Sequence, residues 1–116
     1  MNIVFHITKL EDWERGKVEG EYKADTLESV GFIHCSTAGQ LIKIANNFYG
    51  CQRDLLLLCI DLSKVRAEIK FEGSEGGERY PHIYGPLNID SVIKVLKFEL
   101  GEDGKFKLPG GISNIV

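Results

Sequence analysis

The chain has 116 residues, 43% of them hydrophobic, which suits one domain over residues 1–116 that buries roughly two-thirds of its unfolded surface and leaves no room for a second. Its 14 basic and 17 acidic side chains give a net charge of −3 and are scattered, which argues against a basic track for long nucleic acid. The longest apolar run, Leu55 to Ile60, is far short of the roughly 20 residues of a membrane helix, so no membrane partner is expected.

Asn2 to Thr8 reads as a first strand, with Ile3, Phe5 and Ile7 on one face and Val4, His6 and Thr8 on the other. Behind it, Leu10, Trp13 and Glu14 are spaced for a short helix over Lys9 to Lys17. Thr8 is expected to cap this helix with Glu11 in a capping box, and Gly16 and Gly20 lie near its end. Glu21-Tyr22-Lys23 is a polar connection with a brief strand, and Thr26 to Val30 a single helical turn. Gly31 to Thr37 reads as a strand running into a helix, which Ser36 or Thr37 caps. Leu41, Ile44, Ala45 and Phe48 recur in that helix with helical period, and its end is expected near Gly50.

Asp54 to Asp61, apolar without interruption from Leu55 to Ile60, reads as a central strand covered on both faces. Ala67 to Phe71 is an expected edge strand, with Lys64, Arg66 and Lys70 as its solvated charges. Gly73 to Glu78 is a glycine-rich loop without phosphate-loop spacing, readable as a mobile lid. Pro81 points to an edge or strand-start position for the next strand, and Gly85-Pro86-Leu87-Asn88 to a turn in which Asn88 bonds its own backbone. Val92 to Leu100 alternates as a last strand before a turn at Gly101 to Gly104, and 109–116 reads as a weakly ordered tail. Helices gathered in the first half and strands outnumbering them define an α+β domain with a split mixed/antiparallel sheet.

All three histidines sit in one pattern of histidine, apolar residue and hydroxyl: His6-Ile7-Thr8, His34-Cys35-Ser36 and His82-Ile83-Tyr84. On a strand, residues two apart share a face, so each imidazole projects with its hydroxyl while Ile7, Cys35 and Ile83 fill the other side. Such pairs bond sugar hydroxyls or phosphate oxygens, and an imidazole of ordinary pKa moves protons at cell pH. Tyr80, His82 and Tyr84 share one face as an aromatic wall suited to a planar ring. The candidate ligand-binding residues are therefore His6, Thr8, Ser36, Tyr80 and Tyr84, and the candidate catalytic residues His34 and His82. A three-histidine zinc hydrolase is an alternative, although no H-x-H or H-E-x-x-H spacing supports it. Ser36 lacks a nucleophile elbow, and Cys35 points to the core if His34 points to the cleft.

Three cysteines, Cys35, Cys51 and Cys59, lie inside or beside apolar segments, which fits reduced, packed thiols, Cys51 being the most exposed. The N-terminus lacks the charged region and cleavage site of a signal peptide, so the expected location is the cytoplasm.

Phe5 to Thr8, Trp13-Glu14, Gly31 to Thr37, Ala45 to Tyr49, Leu55 to Leu58 and Tyr80 to Leu87 resemble the bacterial domain-of-unknown-function 952 family over nearly the whole chain. That family looks like a small relative of the ADP-ribosyltransferase fold, whose cleft binds NAD. The resemblance implies that His6-Ile7-Thr8 corresponds to the transferase strand whose histidine contacts an NAD ribose. It likewise implies that Gly31 to Thr37 with Ala45 and Tyr49 corresponds to the strand and helix carrying the nicotinamide-stacking aromatic, with His34 near that place. His82-Ile83-Tyr84 falls where many transferases carry a catalytic glutamate, so ordinary protein ADP-ribosylation is not implied. What is implied is an NAD or ADP-ribose-type ligand, with either a transferase acting on a small phosphorylated or nucleotide substrate or a non-catalytic sensing module of the same fold.

Overall fold

A computed structural model of the chain describes residues 2–50, 52–73 and 77–109. The expectations for Cys51, for the middle of the glycine-rich loop and for the tail from 110 onward lie outside the described residues.

The first strand, β1 (Ile3–Lys9), passes directly into α1 (Leu10–Glu19), which Gly20 ends in the left-handed conformation at φ 90°. Lys9, not Thr8, precedes the helix, and no side chain caps it. The reason is that β1 runs through Lys9 and the Thr8 side chain turns inward, 2.8 Å from the Tyr22 hydroxyl. Next come β2 (Glu21–Tyr22), the single turn α2 (Thr26–Ser29), β3 (Ile33–His34) and α3 (Ala38–Phe48). Gln40 Oε1 accepts from the Thr37 backbone N–H at 3.1 Å and closes the start of α3. The second half holds β4 (Leu55–Asp61), β5 (Glu68–Gly73), β6 (Arg79–Tyr84), β7 (Leu87–Asn88) and β8 (Val92–Phe98). No helix among the described residues is long and apolar enough to cross a membrane.

The sheet is split, in the order β1-β4-β8, β3-β6-β5 and a small β2-β7 pair. Every ladder among the described residues is antiparallel, so of the mixed or antiparallel sheet expected it is the antiparallel one that forms. A parallel pair needs a crossover, and the two longer helices, α1 and α3, each join strands of different sheets. The two larger sheets meet where Phe5 and Ser36 exchange backbone hydrogen bonds of 2.7 and 2.8 Å.

Two apolar layers lie on either side of β4, as its unbroken apolar run implied. On one side Leu41 and Ala45 of α3 cover Phe5, Ile7, Leu57 and Cys59, joined by Phe98 and Phe106, whose rings stack at 4.6 Å. On the other, Leu58 and Ile60 meet Trp13, Tyr22, Ile33 and Ile83. The helix α1 approaches closely because Gly16 lacks a side chain; a Cβ there would lie 3.0 Å from the Tyr22 Cα.

Two turn-type expectations are corrected. Pro81 lies inside β6, the central strand of its sheet, opposite Phe71 of β5. Its carbonyl accepts from Cys35 N–H at 3.0 Å, so its nitrogen faces the same neighbour, just past the two-residue β3 ladder, and no β5–β6 bond is lost. Leu87-Asn88 forms a ladder with β2, and Asn88 bonds Lys64 O, Arg66 N and Asp90 Oδ1, bracing the neighbouring loop rather than its own backbone.

Candidate functional site

Alternation along the second sheet sorts its residues cleanly. Ile33, Cys35 and Ile83 point into the core, while His34, His82 and Tyr84 stand on the opposite face. In the β3–β6 ladder His34 pairs directly with His82, and the two rings meet edge-on with centroids 5.4 Å apart. Phe32 stacks on His82 at 4.0 Å and also touches the rings of His34, at 4.8 Å, and Tyr84, at 5.1 Å. This aromatic cluster fixes the plane of the His82 ring.

Strand β5 adds a carboxylate. Glu72 Oε1 lies 3.0 Å from His82 Nδ1, and the Tyr84 hydroxyl donates to the same oxygen. These bonds, Tyr84 first and then His82, hold Glu72 below the usual carboxylate range. Partial burial and the neighbouring His82 push His34 below its ordinary value. The ionised Glu72 can only accept, so His82 Nδ1 is the donor of this bond.

A cavity of about 490 Å³ opens beside this face, lined by His34, Ser36, Glu72, Tyr80 and His82 with the apolar Phe5, Ile7, Ile44 and Phe48. The helix α3 holds the approaching end of β6, for Gln40 Nε2 donates to Arg79 O at 2.6 Å and Lys43 meets Glu78 at 2.8 Å. Of the residues expected at the site, His34, Ser36, Tyr80 and His82 thus line one cavity, and Tyr84 stands behind it through Glu72. A larger depression of about 630 Å³ at the far end of the β1-β4-β8 sheet contains none of them.

His6 and Thr8 are placed elsewhere. His6 is 6% exposed, with Nδ1 2.6 Å from the His34 carbonyl and Nε2 2.7 Å from the Tyr22 hydroxyl, which is also 2.8 Å from Thr8 Oγ1. A carbonyl only accepts, so Nδ1 donates and Nε2 of the neutral ring accepts from Tyr22. Burial lowers the His6 pKa to about 4. Both ring nitrogens are taken by protein, so the three histidines do not open into one cleft. Among the described residues no three His, Cys, Asp or Glu side chains come together as a metal site. The three-histidine zinc centre therefore has no geometry to rest on.

Burial pushes the Cys59 thiol up to about 11 and the Cys35 thiol higher still, which disfavours the nucleophilic thiolate of both free cysteines. Glu72 escaped the sequence reading because β5 looked like a charged solvated edge. Period two along Glu68, Lys70 and Glu72 puts them on one face, but only the β5–β6 register turns Glu72 toward His82. Tyr22 and Phe32 likewise gave no local signal of their contacts.

The profile of a family described as protein of unknown function DUF952 matches residues 7–95. Two crystal structures of protein CC0527 from Caulobacter crescentus, one of them a double mutant, are each 27% identical with a TM-score of 0.87, covering 97% of this chain and 99% of that one. The solution NMR structure of CC0527 is 29% identical with a TM-score of 0.78, over 90% and 91% of the two chains. No curated protein matches.

Proposed function

The chain belongs to the DUF952 family of proteins of unknown function, and we propose that it binds a nucleotide of the NAD or ADP-ribose type in the cavity beside His34 and His82. The observation that carries this reading is the opposed pair of imidazoles on the wall of a cavity otherwise mostly apolar and aromatic. Its volume of about 490 Å³ falls within the range of small-molecule sites, which combine an apolar lining with a few placed polar groups.

The donor set suits part of such a ligand. Tyr80 and Phe48 offer ring faces to a base or a nicotinamide, while His34, His82 and Ser36 offer nitrogens and a hydroxyl to ribose oxygens. Among the described residues no Lys or Arg lines the cavity, so the phosphates are left at its mouth, in solvent. Ribose holding, expected from His6 and Thr8, passes in this reading to His34 and Ser36, because the former pair is committed to Tyr22. The likeness to ADP-ribosyltransferases is part of the same proposal, and the carboxylate that a histidine replaces on the late strand is supplied beside it, by Glu72 of the neighbouring strand.

The test is an NMR titration of the imidazole signals with NAD at pH 7. The His34 and His82 signals should shift together and saturate, and a His34→Ala, His82→Ala double variant should lose binding while melting within a few degrees of the parent. Signals that stay still at millimolar NAD would overturn the assignment. Release of nicotinamide from bound NAD marks a transferase; saturable binding without release marks a sensing module.

A further inference from the structure

Glu72, His82, Phe32 and Tyr84 form an arrangement that ligand binding alone does not require. Phe32 stacks on the His82 ring at an interplanar angle of 18°, which fixes its plane, and Glu72 accepts a hydrogen bond from its Nδ1–H, which fixes its tautomer. Tyr84 fixes Glu72 in turn, and Lys70 Nζ lies 4.9 Å from the centre of the Tyr84 ring. What remains is Nε2, on the opposite side of the imidazole, without a hydrogen-bond partner among the described residues and, in the neutral ring, without a proton. A base that lines a cavity, oriented through its other nitrogen by a carboxylate, is the general arrangement that activates a hydroxyl or a water.

We propose that His82 is the general base of this cavity, acting on a hydroxyl group of the bound molecule or on a water beside it, with Glu72 as its positioning residue. The proton passes from that oxygen to His82 Nε2, and the resulting imidazolium is held by the Glu72 carboxylate. The oxygen left behind attacks an electrophilic carbon or phosphorus of the bound molecule, so that its new bond to that atom forms as the atom's bond to the leaving group breaks; the leaving group takes the electron pair, and His82 passes its proton to that group or to solvent. No side chain of the cavity is needed as a covalent nucleophile, in keeping with the buried Cys35 thiol. The proposal rests on the cavity being the ligand site, and narrows its chemistry to reactions that begin by removing a proton from oxygen.

The test uses the full chain without ligand, so that its outcome is independent of NAD. Nitrogen-15 imidazole spectra at pH 8 should show His82 with its proton on Nδ1. Glu72→Ala removes the acceptor and should shift the tautomer ratio toward the Nε2 proton by roughly tenfold or more, the worth of a hydrogen bond to a charged group. Glu72→Gln, which keeps an acceptor without the charge, should preserve the tautomer. Acylation by diethylpyrocarbonate, located by mass spectrometry, should be fastest at His82 in the parent and fall by roughly tenfold in Glu72→Ala. Circular dichroism and the melting temperature of Glu72→Ala serve as the folding control, and both should stay close to those of the parent. A parent His82 protonated on Nε2, or a tautomer ratio and acylation rate unchanged in Glu72→Ala, would overturn the proposal. If the tautomer behaves as stated and NAD fails to bind, the base stands and the nucleotide reading falls; the reverse outcome removes the base alone.

Discussion

Acidification should unfold this protein through His6 before its carboxylates matter. The ring is buried and neutral, with a pKa of about 4 against 6.5 in the unfolded chain, the cause being its removal from water. A base whose folded pKa is depressed contributes nothing to the pH dependence above the unfolded value. As pH falls through 6.5 the unfolded state takes up the proton and the folded state does not, so stability is lost, and the loss is complete only below about 4. Linkage puts the loss at about 2 kcal/mol between pH 7 and 5 and about 3 kcal/mol in full. Glu72 and Asp61, whose folded pKa values lie below 4.5 and 3.8, lose their contribution on the acid side of this window, and His34, also depressed, adds to the loss within it. Urea unfolding followed by tryptophan fluorescence at constant ionic strength reads the effect. With a slope of about 1–3 kcal/mol per molar urea, the midpoint should fall by about 1–2 M from pH 7 to 5. In His6→Asn, less stable at pH 7, most of that dependence should disappear. A parent midpoint that stays level from pH 7 to 5, or a slope that survives in His6→Asn, would refute the reasoning.

Tyr22→Phe should cost about 1–3 kcal/mol in urea unfolding, because it strands His6 Nε2 and the Thr8 hydroxyl without the oxygen that joins them, while circular dichroism stays that of the parent. Cys35 and Cys59, at 3% and 0% exposure with thiols displaced upward by burial, should resist a disulfide reagent in the native protein and react once it is unfolded; peptide mapping that finds either labelled natively would contradict their placement.

What was legible in the sequence followed from local periodicity. The two faces of β1, the covered strand β4, the start of α3 just after Ser36 or Thr37 and the shared face of Tyr80, His82 and Tyr84 all depend on residues within a few positions of one another. What was hidden depends on pairing across the chain. Pro81 looked like an edge residue because proline lacks a donor, yet the donor it lacks faces past the end of a two-residue neighbour. Asn88 looked like a turn residue because nothing nearby announces a strand as short as β2. Glu72 is 10 residues from His82 in sequence and becomes its partner only through the β5–β6 register.

The repeated histidine triplet shows the same division within one motif. Alternation correctly puts each imidazole and hydroxyl on a common face, but it does not say what covers that face. Over β1 it is covered by α1 and β2, so His6 and Thr8 close on Tyr22; over β3 and β6 it borders the cavity, so His34 and His82 face each other there. The two roles are still joined, because His6 Nδ1 donates to the backbone carbonyl of His34 itself, one residue from Cys35 and two from the Phe5–Ser36 bridge between the sheets. Replacing His6 therefore loosens the strand that presents His34. A loss of ligand affinity in a His6 variant would report that loosening and not a contact, and the distinction is measurable: affinity lost through His6 should return when the strand is stabilised by lower temperature, whereas affinity lost through His82→Ala should not.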